Sequence, residues 1–373
     1  MSEAGPALDH PAPALVGRRP VLVTGGAGFI GSNLADRLAR EGHDVLVYDA
    51  LARPGVERNL AWLRRRHPAR VSAATADIRD HAALAAAAAD AEAVFHFAAQ
   101  VAVTTSLADP REDFEINLGG TLGLLEALRR RPDPAPLLFA STNKVYGDLA
   151  DVGLEATNDA YLPVDPALRA HGIGEGRPLD FHTPYGCSKG AADQYVLDYG
   201  RSFGVPTAVM RMSCVYGPRQ MGTEDQGWVA HFVIRALEGR PITLYGDGRQ
   251  VRDILDVSDA VEAYLAAWRR IDQVGGRAFN LGGGAANAVS LRQLIAHIEG
   301  LTGRAVDLAF SEWRAGDQRY YVSDARAAQQ ALGLRPPVPW RQGVAALARW
   351  LAEERGFELP EERAPARLVE ARR

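Results

Sequence analysis

The feature that most restricts the fold is a short apolar run leading directly into a glycine-rich turn. Val21-Leu-Val-Thr24 predicts a buried strand, and Gly25-Gly-Ala-Gly28-Phe-Ile-Gly31 follows at once, opening an amphipathic segment. Gly25 suits a tight turn, Gly28 lets a pyrophosphate approach the backbone, and Gly31 lets the helix pack closely on the strand. The amides and the dipole at such a helix start favour a bound phosphate. The turn therefore predicts a dinucleotide-binding βα unit.

An acidic residue lies at the expected distance beyond this turn. Asp49 ends the second predicted strand, where its carboxylate can accept hydrogen bonds from the adenosine ribose hydroxyls. It would repel a 2′-phosphate, so NAD is the expected cofactor; Arg53 is the nearby cation that would favour NADP. A parallel-sheet turn without a ligand is the alternative. The residues predicted to contact the cofactor are Gly25, Gly28, Phe29, Ile30, Gly31, Asp49, Asp77, Ile78, Phe97, Ala98 and Ala99, together with Asn117, Tyr185 and Lys189, which are taken up below.

Short apolar runs alternate with helical segments from residue 20 to about residue 212. This alternation indicates a parallel sheet covered on both faces. Strands are predicted at Val21–Thr24, Asp44–Asp49, Val71–Ala74, Ala93–Phe97, Pro136–Ala140 and Thr207–Met212, and helices at Gly28–Glu41, Ala82–Ala89, Phe114–Arg131 and Pro184–Phe203. The expected fold class is α/β, a Rossmann-type doubly wound parallel sheet with a smaller C-terminal substrate-binding lobe.

The pattern after the sixth strand is looser and predicts the second lobe. Helices are expected there at Trp228–Glu238, Ser258–Arg270, Ser290–Thr302 and Trp340–Ala352. The predicted organisation is a disordered tail at 1–19, the NAD-binding domain at 20–212, the lobe mainly at 213–352 with some segments returning to the sheet, and a charged tail at 353–373.

Composition removes several classes of function. The net charge is −4, which gives no general attraction to nucleic acid or membranes. Cys187 and Cys214 are the only cysteines, so no disulfide framework is expected, and a cytoplasmic enzyme fits. No apolar run is long enough for a membrane span, and no metal site is expected.

A second group of residues, on a predicted helix and at a strand end, indicates the reaction chemistry. Thr183-Pro184 opens a predicted helix, and Tyr185 and Lys189 follow four residues apart, on one face of it. A phenol has an ordinary pKa of about 10 and is a poor base at neutral pH, but a neighbouring ammonium favours the phenolate. Thr142, at the end of the fifth strand, is placed to share the proton path with Tyr185. The three residues predict a catalytic centre for redox chemistry.

The glycine turn, Thr142 and the Tyr185-x-x-x-Lys189 pair, in this order, resemble the extended short-chain dehydrogenase/reductases over about residues 20–350. The resemblance implies a nucleotide-sugar substrate, NAD that stays bound through turnover, and a homodimer built on helices that include the one bearing Tyr185. It also implies that Asn117 helps to order the cofactor site.

Longer strings resemble the branch of that family that epimerises CDP-activated deoxy sugars at C2. They are Ser141–Gly147, Pro178–His182, Met212–Gln220, Thr223–Val229 and Gly316–Val322. The implied reaction oxidises C2 to a ketone and returns the hydride to the other face, with no net redox change. The residues that the resemblance assigns to the substrate are Asn143, Ser213, Arg219, Arg252, Arg314 and Asp317; for the arginines a surface ion pair is the alternative.

Three other functions compete with this interpretation. A 4,6-dehydratase needs an acidic pair after the strand-end threonine, and this chain has Asn143 and Lys144 there, which argues against loss of water. A 4-epimerase of a UDP- or GDP-sugar stays open, because the oxidised carbon depends on how the sugar lies against the nicotinamide. A non-catalytic NAD sensor is disfavoured by the Tyr185–Lys189 pair.

Overall fold

The structure is a computed structural model that describes residues 19–314 and 316–360. The strands are β1 Val21–Thr24, β2 Val45–Asp49, β3 Val71–Thr75, β4 Ala93–His96, β5 Leu137–Thr142, β6 Leu154–Ala156, β7 Tyr161–Pro163, β8 Thr207–Met212, β9 Cys214–Tyr216, β10 Ile242–Tyr245, β11 Val251–Asp256, β12 Arg277–Leu281, β13 Ala288–Ser290, β14 Leu308–Ser311 and β15 Tyr320–Tyr321. The α-helices are α1 Phe29–Arg40, α2 Val56–Arg66, α3 His81–Ala88, α4 Val103–Ala108, α5 Pro110–Phe114, α6 Gly120–Arg129, α7 Pro166–His171, α8 Thr183–Phe203, α9 Trp228–Leu237, α10 Val257–Arg269, α11 Ile271–Val274, α12 Leu291–Thr302, α13 Arg326–Leu332 and α14 Trp340–Arg355.

A parallel sheet of seven strands, in the order β12-β8-β5-β4-β1-β2-β3, organises the described residues. Its central strands are apolar and buried along their whole length, as continuous apolar runs require when helices cover both faces. The strand order reverses between β1 and β4, and ligands bind such sheets beyond the carboxyl ends of the strands at this point. The predicted Rossmann-type fold is confirmed.

Two apolar cores hold the helices on the sheet. One contains Leu34, Leu60 and Tyr264, from α1, α2 and α10. The other contains Leu124 and Val196, from α6 and α8. Helix α8 is thereby fixed against the sheet, and with it the predicted catalytic pair.

The lobe is built around a separate core from α9, α12 and α14, with Phe232, Ile295 and Leu347 among its buried side chains. Its strands are short and form small sheets: β10 pairs with β14, and β11 pairs with β9, β13 and β15. None of these strands was predicted, because runs of two to six residues among turns give little periodicity.

The predicted helix Ser258–Arg270 is present as α10 and packs on the sheet core, as expected of a segment that returns to the sheet. Two other local expectations need correction. The predicted helix Phe114–Arg131 is broken, because residues Glu115–Gly119 form a π-helical turn before α6. Helix α14 runs to Arg355, into the segment predicted as a tail. The remainder of both predicted tails, 1–18 and 361–373, lies outside the described residues.

Over the parts of the chain that the structure describes, every helix is too short or too polar to cross a bilayer.

Candidate active site

A cleft with a volume of about 690 Å³ lies at the carboxyl edge of the sheet and continues along the lobe. Most of the predicted site residues line it. They are Gly25, Gly28, Phe29, Ile30, Gly31, Asp49, Asp77, Ile78, Phe97, Ala98, Ala99, Thr142, Asn143, Tyr185, Lys189, Ser213, Arg252, Arg314 and Asp317. Asn117 and Arg219 stand apart from the cleft wall, for different reasons given below.

The glycine turn has the geometry that a bound pyrophosphate requires. Gly25 has a φ of +67°, and a Cβ there would lie 2.6 Å from the amide nitrogen of Ala98. A Cβ on Gly31 would lie 2.3 Å from the carbonyl oxygen of Gly25, so the helix can approach the turn only with glycine here. A Cβ on Gly28 would meet only that same carbonyl, at 3.1 Å, and would otherwise project into open space on the cleft side. The residues present therefore fit a dinucleotide phosphate at the start of α1.

Asp49 is fixed at the end of β2 by the turn itself. Its carboxylate accepts hydrogen bonds from the backbone amides of Ala27 at 3.0 Å and of Leu51 at 2.9 Å. Burial raises the pKa of Asp49, and these amide hydrogen bonds oppose that rise. The carboxylate is thus rigidly placed at the edge of the cleft, where a ribose hydroxyl can reach it.

The next two strand ends form the rest of this wall. Asp77 receives two hydrogen bonds from the Arg79 guanidinium, at 2.7 Å and 3.0 Å, and this pairing lowers the pKa of Asp77. Ile78 packs on Gly120, where a Cβ would come within 2.8 Å of the isoleucine side chain. After β4, Phe97 stacks edge-on against Tyr264, with the two ring centroids 4.8 Å apart.

His96 ends β4 but serves as a packed side chain. Its Nδ1 lies 2.6 Å from the Thr24 hydroxyl and its Nε2 lies 3.0 Å from the Thr121 hydroxyl. Burial lowers the pKa of His96 to about 3, with the charge of Lys189 as a second cause. The imidazole is therefore neutral at all working pH values and has no free nitrogen for substrate.

Helix α8, which carries the predicted catalytic pair, begins with a strained backbone. Thr183 has a φ of +64°, an uncommon conformation for a β-branched residue, and its hydroxyl accepts the amide hydrogen of Gly186 at 3.3 Å. The amide of Tyr185 donates to the Ser106 hydroxyl at 3.2 Å, which ties the helix start to α4. These contacts set the direction in which the Tyr185 side chain enters the cleft.

Tyr185 and Lys189 lie one turn apart on α8, and both line the cleft. Burial raises the pKa of Tyr185 to about 12, hydrogen bonding to Thr142 opposes the rise, and the charge of Asp113 adds to it. Burial also lowers the pKa of Lys189 to about 7, against the attraction of Asp193 and Asp113. Both shifts favour the neutral forms, so a bound group with positive charge is needed to favour the phenolate.

Thr142 and Asn143 lie together at the end of β5, both more than nine-tenths buried. The Thr142 hydroxyl donates to the Asn143 side-chain oxygen at 3.4 Å and accepts the amide hydrogen of Lys144 at 3.2 Å. Ser141 also lines the cleft, but its hydroxyl donates to buried Asp193 at 2.7 Å. Thr142 is the strand-end hydroxyl that hydrogen bonds to Tyr185.

Asn117 is behind the cleft wall, on the π-helical turn. Its side-chain amide donates to Asp113 at 3.1 Å, to the Ser188 hydroxyl at 3.1 Å and to the Gln100 carbonyl at 3.0 Å, and its side-chain oxygen accepts the amide hydrogen of Gln100 at 2.9 Å. Buried Asp113, which the sequence had not singled out, also accepts a hydrogen bond from the Ser188 hydroxyl. The network joins the loop after β4 to the residue that precedes Lys189, which is an ordering role. A π-helical turn at a functional site is a known association that sequence periodicity does not reveal.

A buried ion pair supports the other side of the catalytic helix. The Arg211 guanidinium donates to both carboxylate oxygens of Asp193 at 2.9 Å, and both side chains are almost fully buried. Tyr146 completes the cluster: Arg211 donates to its hydroxyl at 3.2 Å. Helix α8 is thereby clamped to β8 one turn beyond Lys189.

The lobe end of the cleft holds a cluster of two cations and one carboxylate. Arg252 donates to Asp317 at 2.6 Å, and the Lys144 ammonium lies 3.9 Å from the same oxygen and donates to the Gly316 carbonyl at 3.1 Å. Ser213 lines the cleft, but its hydroxyl is engaged by buried Asp253, whose carbonyl it meets at 2.9 Å. Asp317 therefore orients the cations, and the cluster keeps an excess positive charge.

Arg314 reaches the cleft from the opposite side of the lobe. Its guanidinium carbon lies 3.8 Å from the centroid of the Tyr245 ring, and its Nη2 pairs with Asp225 at 3.2 Å and Glu224 at 3.8 Å. These acids belong to the loop before α9. A substrate phosphate that binds Arg314 would compete with them.

Arg219, which the resemblance assigns to the substrate, does not line the cleft, so its contact with a substrate stays a prediction. Its guanidinium lies over the rings of Trp62 and Trp350, at 4.3 Å and 5.3 Å from their centroids. The backbone there has a φ of +71°, which turns the side chain away from the cleft and toward α2 and α14. Its neighbours in sequence, Gln220 and Glu224, do line the cleft.

Known proteins match this arrangement along most of the chain. Residues 21–282 match the model of the NAD dependent epimerase/dehydratase family. The CDP-paratose 2-epimerase of Salmonella typhi is 41% identical over 339 residues, covering 88% of this chain and 98% of that protein. The UDP-glucose 4-epimerase of Mycolicibacterium smegmatis is 34% identical over 331 residues, covering 87% of this chain and 96% of that protein.

Solved structures agree with the fold. The UDP-glucose 4-epimerase of Thermotoga maritima, solved with UDP-glucose, has a TM-score of 0.76 at 29% identity, covering 90% of this chain and 99% of that one. The UDP-glucuronic acid 4-epimerase of Bacillus cereus, solved with UDP-glucuronic acid and NAD, has a TM-score of 0.75 at 26% identity with the same coverage. The predictions of an NAD cofactor and of an epimerase of the extended dehydrogenase/reductase type are confirmed. The chain belongs to the NAD dependent epimerase/dehydratase family.

Proposed function

We propose that this enzyme inverts C2 of a CDP-activated deoxy sugar, of the CDP-paratose and CDP-tyvelose type, through a transient 2-keto sugar. The observation that carries the proposal is the set of side chains at the end of β5. Thr142 has an amide, Asn143, and an ammonium, Lys144, after it, and hydrogen bonds to Tyr185. The 41% identity to a CDP-paratose 2-epimerase supports the choice of base and carbon.

Tyr185 and Thr142 act together in the proton transfer. Tyr185 removes the proton of the C2 hydroxyl as the hydride leaves C2, and Thr142 holds that oxygen. NAD, when bound, supplies the hydride acceptor and donor and, on its nicotinamide ring, a positive charge. That charge and the Lys189 ammonium favour the Tyr185 phenolate against the burial that raises its pKa.

Inversion then requires the ketone to turn before the hydride returns. The keto sugar presents its other face, C2 receives the hydride there, and Tyr185 returns the proton to the oxygen. The cleft walls hold the intermediate and limit access of water meanwhile. No net oxidation occurs, so product should form without added NAD.

Dehydration is disfavoured by the same strand end. Loss of a hydroxyl from a keto sugar needs a general acid for the leaving oxygen and a base for the neighbouring carbon. The positions after Thr142 offer a neutral amide and a cation instead. The 4-epimerisation of a UDP- or GDP-sugar is the second candidate, favoured by the resemblance of the whole fold to solved 4-epimerases.

A cytoplasmic homodimer is part of this proposal. Tyr195 and Phe203 on α8 are 45% and 48% exposed, and Leu107 and Phe114 on the adjoining α4 and α5 are 49% and 54% exposed. This apolar surface is what the expected dimer interface on α8 would cover.

The test is a substrate panel. The purified protein, which we expect to carry NAD, is incubated without added cofactor with CDP-, GDP- and UDP-sugars, and products are read by NMR. We expect inversion at C2 of a CDP-sugar; inversion at C4 with C2 untouched would overturn the proposal. The Tyr185→Phe variant should lose turnover by about 10²-fold or more while keeping its NAD.

A further inference from the structure

Lysine is almost absent from this chain. Of its 42 basic residues other than histidine, only Lys144 and Lys189 are lysines, and the other forty are arginines. Both lysines line the same cleft. Lys189 has its role in the catalytic pair, whereas Lys144 has none in the mechanism above. Arginine supplies every other basic side chain apart from histidine, yet Lys144, like Lys189, lies at this cleft.

The surroundings of Lys144 leave part of its ammonium without a protein partner. The nitrogen donates to the Gly316 carbonyl at 3.1 Å and lies 3.9 Å from Asp317, whose oxygen is already bound by Arg252 at 2.6 Å. An ammonium has three donors, so donors remain for a ligand. Its side chain is 20% exposed, toward the cleft.

The backbone holds Lys144 close to the reacting atoms. Its amide donates to Thr142 at 3.2 Å, and its carbonyl lies 3.4 Å from the position of a Cβ on Gly186, the residue after Tyr185. The backbone of Lys144 is therefore fixed next to Thr142 and Gly186, and its side chain extends from there to Gly316 and Asp317 along the cleft.

The position of the diphosphate on the sugar ring determines which group of the substrate this cation would contact. In a nucleotide sugar the diphosphate is attached to C1, and C2 is the neighbouring carbon. When C2 reacts at Tyr185, the β-phosphate must lie close to the same residues. When C4 reacts, the phosphate is on the far side of the ring from the reacting carbon. A cation beside Thr142 is thus well placed for the β-phosphate only in C2 chemistry.

We propose that Lys144 binds the β-phosphate of the nucleotide sugar together with Arg252 and so selects C2 as the reacting carbon. This inference rests on the proposed function. Asp317 holds the two cations in place, and their combined charge exceeds its own, as a diphosphate site requires. The ammonium offers three donors from one compact charge, so Lys144 can bind the Gly316 carbonyl and still donate to a phosphate oxygen.

The small number of lysines allows a direct test on the intact, NAD-bound protein. Labelling lysine with ¹³C at Cε gives two NMR signals, and Lys144→Arg assigns them by removing one. Burial, together with the charge of Arg252, lowers the pKa of Lys144 to about 8, with Asp317, Cys214 and Asp148 acting in the opposite direction. We expect CDP to move the Lys144 signal and to raise its pKa by roughly one to three units, while the Lys189 signal changes little.

CMP, which lacks the β-phosphate, is the matched control ligand and should leave the Lys144 signal nearly unchanged. Equal responses to CMP and CDP, or no response to CDP, would overturn the inference. If CDP moves the Lys144 signal but the protein epimerises no nucleotide sugar, the phosphate contact stands and the proposed function fails.

Variants give a second, independent readout. Lys144→Met should weaken CDP binding by about tenfold or more and CMP binding by less than about twofold, and should raise KM for the nucleotide sugar. Lys144→Arg keeps the charge and should recover part of the CDP affinity. An equal loss for CDP and CMP in Lys144→Met would instead indicate a general structural role. The wild-type NMR titration decides the question even where a variant is poorly folded.

Discussion

The Lys189 ammonium lies 4.2 Å from the centroid of the Phe139 ring, on the inner side of the catalytic helix. The ring stabilises the cation only in part, because the side chain is 97% removed from solvent and burial lowers its pKa to about 7. A lysine whose pKa is lowered in this way makes the protonation of the site sensitive to whatever occupies the cleft.

The first prediction concerns stability against pH in protein freed of NAD. The folded pKa values of Lys189 and Lys144, about 7 and about 8, lie below the value of about 10.4 for an unfolded chain. Between these values the unfolded state binds more protons, so stability should rise with pH from about 7 to 9. Urea unfolding at several pH values measures this. The double variant Lys144→Met/Lys189→Met should lose most of the rise, and an unchanged slope would contradict the lowered pKa values.

The second prediction concerns cofactor choice. Asp49 is oriented by the amides of Ala27 and Leu51, so Asp49→Asn keeps the shape but removes the charge. NAD affinity should fall by about 10- to 100-fold, because hydrogen bonds to a charged group contribute about 1.5–3 kcal/mol. Discrimination against NADP should fall as well. Asp44→Asn, at the other end of the strand, is the control for titration calorimetry. Unchanged selectivity in Asp49→Asn would show that Asp49 does not contact the ribose.

The third prediction compares Arg314 and Arg219, both of which the sequence resemblance assigned to the substrate. Arg314→Met should raise KM for the nucleotide sugar by about tenfold or more, because a charge-assisted contact to phosphate is lost. Arg219→Met should leave KM within about twofold and lower the melting temperature, because its guanidinium stacks on Trp62 and Trp350. A larger KM effect in Arg219→Met than in Arg314→Met would reverse the assignment.

The fourth prediction concerns the ion pair under the catalytic helix. Asp193→Asn leaves the buried Arg211 charge uncompensated, and loss of one partner of a buried pair costs about 3–5 kcal/mol. The free energy of unfolding in urea measures the loss. Glu126→Gln, which breaks the more exposed pair with Arg129 but keeps an oxygen for the Tyr199 hydroxyl, should cost much less. Similar losses in the two variants would mean that the buried pair does not clamp α8.

Much of this site could be predicted from the sequence because each part depends on residues that are close together in the chain. The turn from Gly25 to Gly31 and the spacing of Tyr185 and Lys189 need only one strand end and one helix, and the structure puts both on the cleft. Parallel strands place their carboxyl ends at one edge, so Asp49 and Thr142 could also be assigned to that edge.

The parts that were missed depend on tertiary contacts. Asp113 contacts Ser188 of α8, and hydrophobic periodicity carries no sign of that contact between two helices. The guanidinium of Arg219 lies over Trp62 and Trp350 rather than along the cleft, a placement that its position in the chain does not reveal. From the sequence, Lys144 shows only that no acid follows Thr142. Its contacts with Gly316 and Asp317 form because the lobe folds back onto β5.

The most direct test of the central claim uses a CDP-sugar with deuterium at C2, in ordinary water and without added NAD. Direct hydride transfer through Tyr185 and the bound cofactor predicts a product inverted at C2 that keeps its deuterium there, and no product from Tyr185→Phe. Loss of the deuterium to solvent, or inversion at C4 with C2 unchanged, would contradict the account.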